Sequence, residues 1–455
     1  DLFGSLGAND EQLDFPYLYT IAREGIAIKN LSDEKKDIFP LLDFILEHVN
    51  PAVGDTSKPF RMQPASLHYD NFLGRMAIGR VFEGKISDNK NVWVIGHDGE
   101  KRQAKISKVF SYKGLNRLDV PEIEAGDIVT IAGISDIAVG ETITTDENAE
   151  PLPAIKIDPP SLEIDFMVNN SPFAGKEGKY VTGRHLKERL NREIETNVGL
   201  KIENVPNSDA VKVYGRGEMH ISVLIENMRR EGYELQISRP KVLMREIDGK
   251  KHEPIEYAIV NVPDEIAGKV IEILSTRHGK MQNLKAENGH TTLEFLIPTR
   301  GLLGFRSLFI TLTRGQGTLY HSFDHFGPYT GSMGKRSVGS MISGETGSSM
   351  AYSLWKLQER GPLFIHPATE IYEGMIIGEH SHPQDIIVNA TKNKQLTNVR
   401  ASGSDEALAL TPIEEMTLER AIEYIKDDEY VEITPKNIRI RKKLLTENER
   451  KREKR

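Results

Sequence analysis

Cysteine is absent from all 455 residues. Disulfides, cysteine nucleophiles and thiolate-ligated zinc or iron–sulfur centres are therefore excluded, which suits a reducing compartment. No run of about 18 apolar residues occurs, so no helical membrane span is available. The chain opens at Asp1 without a basic stretch followed by an apolar one, and no secretory signal is expected. What is present is a globular composition, 38% hydrophobic and 28% charged. At this length one core is too few, and three to four domains of roughly 100–150 residues follow.

The net charge of -8 conceals a gradient. Residues 1–50 carry ten acids against four bases, whereas residues 436–455 carry ten bases against three acids. A basic end of this kind suits phosphate while the acidic remainder keeps the chain in solution. A frayed, solvated basic tail accounts for the same numbers.

The most informative stretch is 211–242, VKVYGRGEMHISVLIENMRREGYELQISRPKV. Val211 and Val213 alternate as a half-buried strand does, and Gly215 and Gly217 flank Arg216 in a turn. Met219, Val223, Leu224, Ile225 and Met228 then recur at helical spacing. Gly232 stands where a helix ends in the left-handed region, and Tyr233, Leu235 and Ile237 alternate until Pro240 stops the strand. Pattern alone reads as a sheet with a covering helix, without chemistry.

The wording GRGEMHISVLIENMRREGYEL followed by SRPKV resembles the third domain of the elongation-factor-G class of translational GTPases, in particular its BipA/TypA branch. The likeness extends through SPFAGKEGK, EGMIIGEH, LTNVRASGSDEA, MTLERAIEYI, DDEYVEITP and IRIRKKLLTENER, and covers essentially the whole chain. Elongation factor G itself is disfavoured, because Pro240 to Glu253 is too short to hold its fourth domain. LepA, a translational GTPase of similar domain order, is disfavoured by the wording from Leu396 to Ala407.

The expected fold is multidomain. It comprises an all-β barrel, two ferredoxin-like α+β domains and a mixed, largely β C-terminal domain. Residues 1–52 resemble the end of a GTP-binding domain: Leu41, Leu42, Ile45, Leu46 and Val49 stripe one helix, and one strand and one helix bury too little to fold alone. By resemblance Ala22 is a remnant of the nucleotide site, although Ile21 replaces the usual serine before it. Residues 58–157 give short apolar strands, with Asp98-Gly99 as a hairpin signal. That pattern fits the second domain of translational GTPases or an unrelated small barrel. Residues 158–245 and 250–328 read as two copies of a βαββαβ unit, and 329–455 as the BipA-type RNA-binding domain.

Candidate site residues fall in three places. Lys176 and Lys179, in a Gly-rich turn, suit an anion-facing loop; an ordinary flexible loop fits as well. In NIRIRKK, Ile438 and Ile440 are expected inward and Arg439 and Arg441 outward, so that with Lys442 and Lys443 one sheet surface is cationic. The loop from Thr391 to Ser404 carries Lys392, Lys394, Asn398 and Arg400, with no acid before Asp405. By resemblance it reaches the acceptor end of the A-site transfer RNA; an ordinary polar hairpin loop is the alternative.

The resemblance implies a ribosome-associated GTPase linked to large-subunit assembly, stress and low-temperature growth. Its expected partners are ribosomal RNA and A-site transfer RNA; it is cytoplasmic and monomeric and has no membrane partner. A nucleotide-independent RNA-binding or assembly module is the alternative. GTP and Mg are expected for the intact protein and none for these residues. Gly334-Lys335 is followed by Arg336 rather than Ser or Thr, no Gly stands five residues earlier, and no NKxD accompanies the single DxxG at Asp324. His380, His382 and Asp385 lack the helical spacing of a metal site. Calorimetry on residues 1–455 should therefore show no magnesium-dependent GTP binding. A tight, magnesium-dependent isotherm would refute that expectation.

Overall fold

In the computed structural model, which describes residues 2–206, 208–333, 338–393 and 409–453, the segment 211–242 forms strand Val211–Gly215, helix Glu218–Glu231 and strand Leu235–Ile237. Gly232 caps the helix at φ 97°, its N–H reaching the Met228 and Arg229 carbonyls. The buried stripe is Ile221, Leu224, Ile225 and Met228, whereas Met219 and Val223 are half exposed. The inward face is thus rotated from the one that simple counting of apolar residues favours, because Ile221 rather than Val223 completes the i, i+3, i+4, i+7 set.

The chain separates into two units, Asp1–Ile155 and Lys156–Arg455. The first unit starts with a hairpin, Tyr19–Ile21 against Ile26–Ile28, and the helix Phe39–His48. The stripe Leu42, Ile45, Leu46 and Val49 is exposed, and no residue of that helix is buried. Eight strands follow in one antiparallel ladder that starts at Lys101–Lys105 and ends at Asn116–Asp119. They surround Met62, Val81, Val94, Ile106, Val129 and Ile143. Among the described residues the two end strands of this ladder do not pair with each other, and Lys85–Ser87 with Glu122–Glu124 forms a separate pair. Gly99, at φ 84°, turns the hairpin between Asn91–Ile95 and Lys101–Lys105 as the Asp-Gly signal requires.

In the second unit, Leu162–Met167, Lys201–Asn204, Val211–Gly215 and Leu235–Ile237 form an antiparallel sheet in spatial order 2-3-1-4. The helices Gly183–Ile194 and Glu218–Glu231 connect these strands as a βαββαβ chain. Thr182 accepts the His185 N–H at 3.3 Å and starts the first helix, as its position suggests. The same arrangement recurs in Lys250–Pro263, Lys280–Glu287, His290–Pro298 and Thr318–Pro328, again with the first strand between the third and fourth. Its helix Asp264–Thr276 buries Ala267, Val270 and Leu274, and Phe305–Thr313 buries Phe305 and Phe309.

The first of these sheets does not stop at its fourth strand. Leu235–Ile237 pairs antiparallel with Glu429–Ile433, which sets Leu235 opposite Ile433, Gln236 opposite Glu432 and Ile237 opposite Val431. The sheet then continues through Ile438–Lys442, Met375–His380, Gly339–Ser343 and Ile386–Val388, for ten strands in all among the described residues. Residues expected to form separate third and C-terminal domains thus share one sheet. They also share one core, in which Leu162, Phe166 and Leu235 join Tyr424, Ile433 and Ile440. Ladder hydrogen bonds and a common apolar layer make this junction stiff.

Candidate nucleic-acid interface

Alternation in the basic strand Ile438–Lys442 predicts a cationic surface, and here the structure corrects the sequence reading. Arg441 and Lys442 are each 1% exposed. Arg439 donates to Glu432 Oε1 at 3.0 Å and to Glu177 Oε1 at 2.6 Å. Arg441 donates to Asn170 Oδ1, to Gln236 Oε1 and to the Lys442 carbonyl. Lys442 Nζ sits 2.6, 2.8 and 2.9 Å from carboxylate oxygens of Asp385, Asp428 and Glu429. Burial opposes its charge, but these three carboxylates prevail and hold the ammonium above the usual lysine range. Such groups are turned to internal partners and buried out of reach of a phosphate.

Alternation places Arg439 and Arg441 correctly on one side of the strand; that side is covered. The covering segment includes Asn169, Ser171 and Phe173, all buried. Phe173 packs edge-on against Tyr372 at 5.0 Å and lies 5.3 Å from the Arg439 guanidinium. Only Lys443 of this group is exposed, its Nζ 4.9 Å from the Tyr430 ring.

The turn of Lys176 and Lys179 does cradle an anion, and the anion is the chain's own Glu234. The N–H groups of Gly175, Glu177 and Gly178 donate to its carboxylate at 2.7, 2.8 and 2.6 Å. Gly175 makes the turn at φ 77°. Successive amides converging on one anion form the nest expected of such a loop, but Glu234 is 4% exposed and fills it. Lys176 and Lys179 are at the surface and lie over the rings of Phe173 and Tyr180 at 4.1 and 5.1 Å. Ala22 is exposed at the start of a 3-10 turn, Ala22–Glu24. Asp385 accepts the Ser340 N–H at 2.9 Å besides meeting Lys442, and His380 Nδ1 faces the Gln384 carbonyl at 2.6 Å.

Lys394, Asn398 and Arg400 lie outside the described residues. Lys392 is exposed, and its carbonyl accepts the Ser353 hydroxyl at 2.5 Å. Ser353 belongs to the helix Ala351–Leu357, and the same helix carries three side chains that the sequence reading did not single out. The rings of Tyr352 and Trp355 stack 6.3 Å apart at 26°, and Lys356 Nζ stands 4.6 Å over Tyr352. Trp355 and Lys356 are exposed. A sequence signal existed: aromatics three apart followed by lysine, on a short helix. Rings with a cation beside them suit unstacked bases and phosphate together.

This architecture fits a class. Residues 74–144 match the elongation factor Tu domain 2 family, and residues 250–337 match the elongation factor G C-terminus family. The chain is a multidomain, β-rich protein of the elongation-factor type. Residues 338–447 match the TypA/BipA C-terminal domain. Over 454 residues it is 48% identical to the large ribosomal subunit assembly factor BipA of Haemophilus influenzae, covering 99% of this chain and 74% of that protein. The Synechocystis protein of the same name is 47% identical over 97% of this chain and 74% of its own length. For the Escherichia coli protein the values are 47%, 99% and 75%. The chain belongs to the BipA family, as its wording indicates.

Arg439→Ala would strand the buried Glu432 and the nearly buried Glu177, and should cost roughly 3–5 kcal/mol of stability. Glu177 also gives a pH test. Burial raises its carboxyl, but hydrogen bonds from Thr434, Arg439 and Asn437 hold it below the ordinary carboxylate value. A depressed folded value means stabilisation present above the unfolded value and lost as pH falls through the folded one. Acid melting curves should therefore flatten in Glu177→Gln, and an unchanged acid limb would remove Glu177 from the account.

Proposed function

We propose that this chain is the ribosome-binding portion of a translational GTPase that docks in the ribosomal A site and acts in large-subunit assembly and in stress and cold adaptation. The acting region is the C-terminal loop from Thr391 to Ser404 together with the side chains at its base, and its partners are ribosomal RNA and the acceptor end of A-site transfer RNA. The protein acts in the cytoplasm as a monomer. Relatives named as large ribosomal subunit assembly factors support the ribosomal part of this reading. The observation that carries it is the helix Ala351–Leu357, which presents the stacked Tyr352 and Trp355 rings with Lys356 over Tyr352 and holds the Lys392 carbonyl through Ser353. Among the described residues no helix is long and apolar enough to cross a membrane.

GTP and magnesium belong, in this reading, to the intact protein. Among the described residues the amide turn at Gly175, Glu177 and Gly178, which could otherwise cradle a phosphate, already holds Glu234. Nucleotide-independent RNA binding is accordingly the second reading, favoured by that same occupied turn.

Lys356→Ala and Lys392→Ala should flatten the salt dependence of co-sedimentation with large ribosomal subunits. The expected change is about 0.7–0.9 in log–log slope for each phosphate that is no longer neutralised. Trp355→Ala should weaken binding by about 1–3 kcal/mol, as loss of one stacked base does, with the melting temperature unchanged because the ring is exposed. Unaltered affinity and slope in the triple variant would exclude this surface. Arg441→Ala is the contrasting control, expected to lower the melting temperature and to leave the salt slope alone.

A further inference from the structure

Glu218 opens the helix Glu218–Glu231, and Ser222 follows one turn later on the same face. Facing them, the helix Leu418–Tyr424 carries Glu419 and Glu423, also one turn apart. The third wall is the start of Phe305–Thr313. There Gly304 lies near the Glu218 carboxylate and Ser307 Oγ donates to Glu423 Oε1 at 3.0 Å. Between them lies a cavity of ≈540 Å³, with an apolar floor that includes Met219, Leu302, Leu303 and Ile310.

The carboxylates here lack what carboxylates in such a place ordinarily have. Among the described residues, no lysine or arginine nitrogen lies within 4.0 Å of Glu218, Glu419 or Glu423. The cations nearby act on these carboxylates only from beyond ion-pair distance: Arg277 donates to the Gly301 and Leu303 carbonyls at 2.9 and 3.0 Å, Arg420 is paired with Glu414, and Arg216 and the exposed Arg306 line the cavity without an ion pair to Glu218, Glu419 or Glu423. His220 is held below its ordinary value by burial and by Arg216, and His321 is paired with Glu256. Burial, then the charge of Glu423, pushes the Glu218 carboxyl up to about 7, and burial raises Glu423 as well. A second observation is independent of these acids. Ser222 is 3% exposed and lines the cavity, and its hydroxyl has no hydrogen-bond partner.

We propose that this cavity is a binding site for a small aliphatic amine, its ammonium group held by Glu218, Glu423 and the Ser222 hydroxyl, and its alkyl stem laid on Met219, Leu302, Leu303 and Ile310. An ammonium has three donors, and the cavity supplies three acceptors from two facing helices. An anion would meet Glu218, Glu419 and Glu423, which outnumber the cavity's Arg216 and Arg306. A bare divalent cation finds no adequate ligand set, since no group of three His, Asp or Glu among the described residues could hold a metal. The apolar floor has no use for a hydrated ion but suits a hydrocarbon stem. An occupant would join three helices drawn from both ferredoxin-like halves and the C-terminal part. The proposal is independent of the RNA surface around Lys392.

Spermidine is a suitable probe. Titrated calorimetrically into the full chain at about pH 7.5 and fixed ionic strength, it should show one saturable site. The double variant E218Q/E423Q should lose at least about tenfold in affinity, as expected for hydrogen bonds to charged groups. Ser222→Ala, which keeps both carboxylates, should lose less. The uncharged diol 1,8-octanediol should not bind, and magnesium at matched ionic strength should not compete. The pH dependence has a definite sign. A carboxyl raised from 4.5 to about 7 in the folded chain makes stability fall as pH rises through that interval. Melting curves should show this slope, Glu218→Gln should remove it, and spermidine affinity should rise over the same interval as the carboxyls ionise. Absence of saturable binding, equal affinity in the double variant, or displacement by magnesium would each overturn the proposal.

Discussion

Glu432 is the residue on which the larger unit turns. Fully buried, it sits opposite Gln236 at the pairing between Leu235–Ile237 and Glu429–Ile433. Its carboxylate accepts from Arg439 at 3.0 Å, from the Tyr372 hydroxyl at 2.6 Å and from Asn169 at 3.3 Å. A buried carboxylate is costly unless its lone pairs are filled and its charge is matched. Here both conditions are met only when three distant stretches of chain come together. A one-residue slip of the Glu429–Ile433 strand would turn Glu432 to the other face and leave Arg439 without it. The apolar residues of this sheet drive association, and the ionic group fixes the register in which association is tolerable.

Rigidity at that pairing is transmitted along the sheet. Beyond it lie Met375–His380, Gly339–Ser343 and Ile386–Val388, and Lys442 with Asp385 and Glu429 ties these strands a second time. The chain leaves the last strand through Asn389, whose side chain holds the Thr391 N–H at 2.9 Å, and meets Ser353 at Lys392. The described residues at this exit, Asn389 to Lys392, are thereby held against the sheet and the helix Ala351–Leu357, so that binding at them would spend little on ordering the scaffold. The buried charges fix where the exposed side chains around them stand.

Much of this is legible in order along the chain. Alternation and helical spacing locate the two βαββαβ units, Thr182 and Gly232 mark helix ends, and Asp98-Gly99 marks a hairpin. All of these are local signals. The basic strand misleads for a reason of the same kind: period-two alternation tells which residues share a side, not whether that side is covered. Arg441 is covered by Asn170 and Gln236, which are 271 and 205 residues away. No local pattern carries that information. The Glu234 nest has the same logic, since the glycine-rich turn advertises an anion site but cannot say that a residue 59 positions later occupies it.

Met219 shows where misreading and chemistry meet. Core by its spacing, it is half exposed and forms part of the floor of a cavity whose walls are carboxylates. An apolar residue in the first turn of a helix can face the protein interior or a space that the interior encloses, and spacing does not separate the two. What separates them is the company it keeps. Glu218 and Ser222 share its helix, and Glu419 and Glu423 stand across from it. A true core position would not tolerate such carboxylates without an ion pair. Helical periodicity therefore identifies the apolar residues of this chain, while the polar groups around them, Ser222 without a hydrogen-bond partner and carboxylates without an ion pair, distinguish a packed position from a cavity wall.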